Sequence, residues 1–386
     1  QHYRDNNLVT VGTHALRGGF NLGEHAGINA HYLVDGISGA SRNDIHGSYP
    51  DADGISAASQ KKLDGITSAS PTDELRHQLG ASVTLVGDVL RRLAAQLSEN
   101  PTTLSLGGIM SKENDYHSNT MSGSIAQDLF HRNTTLALNY SISLDQFSPP
   151  ARYIPLDDAG WERYGQGKRR TERGALSLTQ GLSMTTLARA SIEYGRDQGY
   201  LARPYYLQEI NNVYYKETLP PRRDNIVVAL KLNHYLNVGQ GLVLRGGYRF
   251  YDDTWDITSH TADLELRARF GTLLTLAPSY RFYHQSGAFF FTERPLREQS
   301  YLTSDLKYSP HNTHTLGLQC TIARDVVANQ IDPSFSLAPT GLDIGFWMMH
   351  RGGTEDVAVR NAFYNYWPTR DGFWAGWLRS SVRFAF

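Results

Sequence analysis

Ala262-Asp263-Leu264-Glu265-Leu266-Arg267-Ala268-Arg269-Phe270 is the stretch that decides the fold. Ala262, Leu264, Leu266, Ala268 and Phe270 fall on one side of an extended chain. Asp263, Glu265, Arg267 and Arg269 fall on the other, which is the two-residue period of a β-strand. A helix would scatter those charges among the leucines. A soluble edge strand does this once; here it recurs. Leu242, Leu244, Gly246, Tyr248 and Phe250 oppose Val243, Arg245, Gly247, Arg249 and Tyr251. Leu274, Leu276, Pro278, Tyr280 and Phe282 oppose Thr275, Ala277, Ser279, Arg281 and Tyr283, and Leu136, Leu138, Tyr140, Ile142 and Leu144 oppose Thr135, Ala137, Asn139, Ser141 and Ser143. Apolar and aromatic residues on one face and polar ones on the other, segment after segment, describe strands between lipid and an aqueous lumen.

Composition agrees. In 386 residues, 37 Lys+Arg against 38 Asp+Glu leave a net charge of −1, so no global basicity directs the chain to nucleic acid. The longest unbroken apolar run is Ile226 to Leu230, whereas a membrane-spanning helix needs about 20 apolar residues. The lone Cys320 excludes an intramolecular disulfide, a CxxC redox pair, a CxxCH haem attachment and a cysteine-built zinc site. Gln1 follows none of the pattern of a cleavable secretion signal, and the chain reads as a mature or trimmed product.

Strands are expected near 1–5, 8–21, 26–38, 73–88, 102–114, 117–129, 133–147, 170–182, 184–197, 223–236, 241–256, 258–270, 273–286, 300–322, 341–350 and 373–386. That is an all-β, transmembrane antiparallel barrel of about sixteen strands, one domain over 1–386, in the bacterial outer membrane. The long connections, 39–72, 148–169, 198–222, 287–299 and 351–372, all follow strands of one direction, and most of the others are short, the asymmetry of external loops and periplasmic turns. Connections 89–101 and 323–340 are long for periplasmic turns. The polar 39–72 loop, rich in Ser, Gly, Ala and Asp, has no core of its own and is read either as a constriction in the mouth or as a mobile external loop. Pro278 removes a ladder hydrogen bond, so a local bulge is expected there. Phe130, Phe270 and Phe386 are expected in a periplasmic aromatic girdle, and Phe147, Tyr200 and Phe250 in an external one. The last strand, ending in Phe384 and Phe386, is similar to the signal read by the barrel-assembly machinery, which becomes an expected partner.

Several short motifs carry a family likeness. They are Val34-Asp35-Gly36-Ile37-Ser38-Gly39-Ala40-Ser41, Ser111-Lys112-Glu113-Asn114-Asp115-Tyr116 and Arg132-Asn133-Thr134-Thr135. Further on stand Gly247-Tyr248-Arg249 with Asp252, Asp253 and Trp255, then Ser259-His260-Thr261 and Tyr280-Arg281-Phe282-Tyr283. In these the chain resembles the bacterial family labelled domain of unknown function 3570, whose members are predicted outer-membrane proteins. The likeness spans nearly the whole chain and thins after Cys320. It implies a link to envelope redox chemistry, because such members occur beside small lipoproteins, thioredoxin-like proteins and flavin-attaching enzymes.

Catalytic chemistry finds no support. No GxSxG elbow is present, and no Ser/His/Asp set assembles. His311 and His314 are three apart, which places them on opposite faces of a strand. Asp51-Ala52-Asp53-Gly54 opens like a calcium loop but lacks the later ligands. No haem, flavin or cluster ligands are present, so the chain reads as a non-enzyme without a cofactor of its own.

Charge concentrates in two places. Arg245, Arg249, Asp263, Glu265, Arg267, Arg269 and Arg281 face inward, and a hairpin centred on Asp256 would set Arg249 opposite Asp263. A turn centred on Thr272 would set Asp263 opposite Arg281, so the acid would lie between two arginines. Lys168, Arg169, Arg170, Arg222 and Arg223 begin strands descending from the outer surface, where they form either a solvated rim or contacts to lipopolysaccharide phosphates. Three functions follow from these readings: a channel or scaffold with a charged lumen for a polar solute or small partner protein; a sheath holding a periplasmic redox protein or lipoprotein; and, least favoured, an outer-membrane enzyme. Deleting Phe386, or making Phe386→Glu, should reduce the folded, heat-modifiable barrel in outer membranes far more than Ala385→Ser. Equal and mild losses would remove the assembly signal.

Overall fold

The computed structural model describes residues 2–4, 10–38, 67–68, 74–87, 101–147, 167–202, 206–210, 213–271, 273–292, 295, 297–323, 338–353 and 373–385. In chain order the strands are β1 (His2–Arg4), β2 (Thr10–Leu22), β3 (Ala26–Ser38), β4 (Thr67–Ser68), β5 (Glu74–Gly87), β6 (Thr102–Lys112), β7 (Tyr116–Leu129), β8 (Thr134–Phe147), β9 (Lys168–Ser183) and β10 (Thr186–Gly199). There follow β11 (Tyr206–Ile210), β12 (Val213–Lys216), β13 (Arg222–Leu236), β14 (Leu242–Asp253), β15 (Thr258–Phe270), β16 (Leu274–Gln285), β17 (His311–Ala323), β18 (Ala338–Gly353) and β19 (Phe373–Ala385). Sixteen of them form one sheet in which every neighbour is the next long strand in sequence. All its pairings are antiparallel.

The sheet is turned inside out relative to a soluble sandwich. Its large apolar side chains stand in the open on alternate positions: Leu16 is 74% exposed, Met110 63%, Met121 69% and Leu230 54%. Leu136, Leu138, Leu176, Leu264, Leu266, Leu316 and Phe346 continue the same face on strand after strand. Only a hydrocarbon solvent makes such a face favourable, and only a continuous ladder satisfies the backbone within it. This is a transmembrane antiparallel β-barrel of the outer-membrane type.

Turns at 23–25, 130–133, 184–185, 237–241 and 271–273 gather at one end of the strands. The strand ends that flank the connections 39–73, 148–167, 200–221, 286–310 and 354–372 lie at the other, the external end. Phe130, His131 and Arg132 all take positive φ (50°, 55° and 67°) to close one tight periplasmic turn. Of the 39–72 loop, only 67–68 is described, as β4; it pairs with β11, and β11 pairs with β12, in a separate three-stranded sheet that the sequence did not suggest.

The buried apolar core lies beyond the strands, at the external end. Tyr200, Ala202, Leu219, Trp255, Ile257, Ala288, Phe290 and Tyr308 pack together there, with Phe147 and Tyr251 against them. Trp255 is 2% exposed, meets Phe290 edge-on at 5.0 Å and donates from Nε1 to the Arg222 carbonyl at 3.0 Å. Inside the cap, Thr303 Oγ1 donates to Glu217 Oε1 at 2.6 Å. Burial first, and the charge of Glu217 second, push the Tyr200 phenol above its ordinary pKa, so it stays protonated.

The cap corrects three expectations. The segment 300–310 is not the start of a strand, because Leu302 and Thr303 bridge to Thr218 and Phe291 and are buried there; β17 begins at His311. Phe147 and Tyr200 are not girdle residues, since their rings meet each other at 6.1 Å at the cap. Phe130 and Phe270, by contrast, are 73% and 53% exposed at periplasmic strand ends. Nor does Pro278 cause a bulge: ladder pairs to β15 are missing beside it, yet the register is the same on both sides of the gap. The shifts lie instead at Thr186/Leu187 and Pro339/Gly341.

Removing a large aromatic from a packed core costs on the order of 3–5 kcal/mol. Trp255→Ala should therefore make 286–310 cleavable by protease added to intact cells, while Leu264→Ala, on the lipid face, should leave it protected. Equal protection of both variants would mean that the cap does not depend on the indole.

Candidate functional site: the charged lumen wall

Opposite the lipid face, the pleat turns the odd-numbered residues of β13 to β17 inward, and the charges gather there. Asp263 stands directly opposite Arg281, whose Nε donates to Oδ1 at 2.5 Å. Glu265 stands opposite Arg245, with Nη1 to Oε1 at 3.1 Å, and takes Arg267 Nε at 3.3 Å from its own strand. Arg269 turns away to the periplasmic turn and donates to the Gly271 carbonyl at 3.1 Å.

Arg249 is the exception. It faces Thr261, not Asp263, and its guanidinium lies 5.5 Å from the Tyr251 ring. The β14–β15 hairpin is centred on Trp255 rather than Asp256. Asp256 takes a left-handed φ of 64°, and the Asp253 carboxylate accepts the amide protons of Trp255 (2.8 Å) and Ile257 (3.1 Å). An aspartate capping its own loop moves the register by two residues and keeps inward residues opposite inward ones.

Toward the external mouth four inward arginines have an aspartate. Arg76 pairs with Asp35; Arg169 with Asp145 (2.6 Å); Arg173 with Asp197 (2.8 Å); and Arg223 with Asp253 (2.5 Å). These pairs divide the expected lipopolysaccharide contacts. Arg169 and Arg223 face inward and are taken, and Arg223 also lies 4.5 Å over the Trp255 ring. Lys168, Arg170 and Arg222 are exposed on the outward face. There Arg170 meets Glu172 at 2.7 Å, and Asp224 binds Arg196 at 2.7 Å and Arg222 at 2.5 Å. Phe384 lies in β19 opposite Pro339, and Phe386 lies outside the described residues, as do Asp51 and Asp53.

Sequence reading missed three features. Arg189 and Lys231 face inward and stand directly opposite each other, a pairing across 42 residues that depends on the β10–β13 register and is not visible in a linear scan. The outward face near the external end carries tyrosine–histidine pairs: Tyr32–His77 and Tyr248–His260, each at 2.7 Å, and Tyr280–His314 at 2.8 Å. The partners lie 12 to 45 residues apart in sequence, so the strand register is needed to bring each pair together. The third is the opposite half of the wall, where Ser82, Ser105, Gly107, Ser122, Ser124 and Asn139 help to line a recess of about 430 Å³ that Arg173 and Glu193 close on one side. Among the described residues no three His, Cys, Asp or Glu converge as metal ligands.

A double-mutant cycle tests the register. Asp263→Asn with Arg281→Gln should show coupling of roughly 0.2–1 kcal/mol, and Asp263→Asn with Arg249→Gln should show none. Coupling to Arg249 instead would restore the hairpin centred on Asp256.

Solved structures with similar folds include the siderophore receptor PirA from Acinetobacter baumannii (9% identity, TM-score 0.46, 98% of this chain and 56% of that one). Another is the outer membrane protein opdK from Pseudomonas aeruginosa (10% identity, TM-score 0.39, 98% and 96%). A third is the siderophore receptor PirA from Pseudomonas aeruginosa (9% identity, TM-score 0.43, 89% and 52%). The chain spans about half the length of the two receptors. No curated protein matches it. The model of the family described as protein of unknown function (DUF3570) matches residues 1–329, and the chain belongs to that family.

Proposed function

We propose that this protein is an outer-membrane channel whose charged lumen passes a polar solute. The observation that carries the reading is the division of each strand: apolar side chains exposed outward, and an inward face of arginines, acids, serines and threonines that a water-filled bore would solvate. An inward face that served only stability has no need of so many charges, since each opposed pair contributes roughly 0.2–1 kcal/mol. Many inward side chains also lie flat. The His31 ring covers Gly80, and the Trp347 ring lies over Gly345 and Gly317, so these side chains line the wall instead of filling the bore. Outside, exposed Lys168, together with Arg170 and Arg222, which are shared with Glu172 and Asp224, suits the phosphates of lipopolysaccharide.

Reconstituted alone in a planar bilayer, the purified chain should conduct ions in discrete steps. A silent bilayer, with a periplasmic polypeptide copurifying from native membranes in mild detergent, would replace the channel by the sheath.

A further inference from the structure

Arg189 and Lys231 depart from the pairing found at the external mouth. They are directly opposed on β10 and β13, both inward and both exposed. Like charges placed so are destabilising. Among the described residues neither meets an acid; Arg189 reaches only Ser177 Oγ, at 3.5 Å. The next strand does not relieve them. Lys231 faces Gly247, which has no side chain, and the two inward neighbours of Gly247 along β14 are Arg245 and Arg249. The nearest acid beyond is Asp263, which fills the space above Gly247 and whose carboxylate is held by Arg281. Four cations on three adjacent strands thus stand around Gly247, at strand spacings of about 4.8 Å, and of the four Arg245 is shared with Glu265 on the next strand.

We propose that Arg189, Lys231, Arg245 and Arg249 form an anion site on the lumen wall, for inorganic phosphate and small solutes bearing phosphate groups. A dianion with several acceptor oxygens satisfies cations on three strands at once, which a chloride ion or a single carboxylate does not. The aspartates at the mouth neutralise Arg169, Arg173 and Arg223, whereas Arg189 and Lys231, toward the periplasmic end of their strands, keep charge that the low-dielectric wall focuses. Gly247 places no side chain between Lys231 and the bore, and the one group over it, the Asp263 carboxylate, is neutralised by Arg281. The site rests on the reading of the lumen as open to solutes.

Two measurements on the purified full chain separate the site from the channel. In planar bilayers under a salt gradient, the wild type should prefer anions, and inorganic phosphate should reduce its chloride conductance. The Arg189→Gln/Lys231→Gln variant should require at least about tenfold more phosphate for the same reduction, while Lys112→Gln, which removes an outward charge, should behave as wild type. In detergent, without any conductance, phosphate should raise the unfolding temperature of the wild type and not of the double variant. Without phosphate, the double variant should be the more stable of the two, because a like-charge contact has gone. A silent bilayer with phosphate stabilisation intact would remove the channel and keep the site. Equal responses of wild type and double variant to phosphate, in both measurements, would overturn the site.

Discussion

Inside hydrocarbon, no water is available to a free amide or carbonyl, and each strand must therefore find partners on both sides. The rest of this molecule depends on that constraint. It forces the long strands into one unbroken antiparallel ladder in sequence order, and the ladder in turn fixes the two-residue alternation. One face is then obliged to be apolar by the lipid, and the other is released to carry polar groups. Sequence, fold and lumen chemistry are consequences of the same pleat.

That coupling is also why so much was legible without coordinates. In Ala262–Phe270 the alternation defines a strand, its direction of burial and its inward charges together, and the β15–β16 register followed from a turn too short to allow another. What was not legible lies where the constraint stops. Beyond the bilayer the chain is free to build an ordinary packed core, and period-two reasoning has nothing to say about it. Leu302 and Thr303 alternate acceptably as strand residues, yet tertiary contacts bury them against 218 and 291. Phe147 and Tyr200 have the composition of girdle residues and the location of core residues. The hairpin at 253–257 was misplaced by two positions because an aspartate capped its loop and shifted the centre from Asp256 to Trp255.

Charge pairing changes along the wall in the same way. At the external mouth, next to the cap, Asp145, Asp197 and Asp253 sit within reach of an arginine on a neighbouring strand. Partial burial raises the cost of an unmatched charge, so pairing there is close to obligatory. Below the mouth exposure to the bore relaxes that pressure: Arg281 and Arg245 still have acids, whereas the exposed Arg189, Lys231 and Arg249 have no acidic partner among the described residues. Unpaired cations persist where water keeps their desolvation small, and that is also where a passing solute meets them.

Cap and cationic wall share the same strands. The cap draws on the connections that follow β10, β14 and β16, and the inward cations stand on β10, β13, β14, β15 and β16. Arg223 joins the two, since its guanidinium is held by Asp253 within the wall and lies against Trp255 of the cap. A barrel strand held only by its ladder retains some freedom to tilt and slide at its end. A strand whose external end is locked into an aromatic core retains much less. The hydroxyl-lined half, β5 to β8, reaches the cap through Phe147 at the end of β8. The strands that carry the inward cations are thus the ones whose external connections build most of the cap.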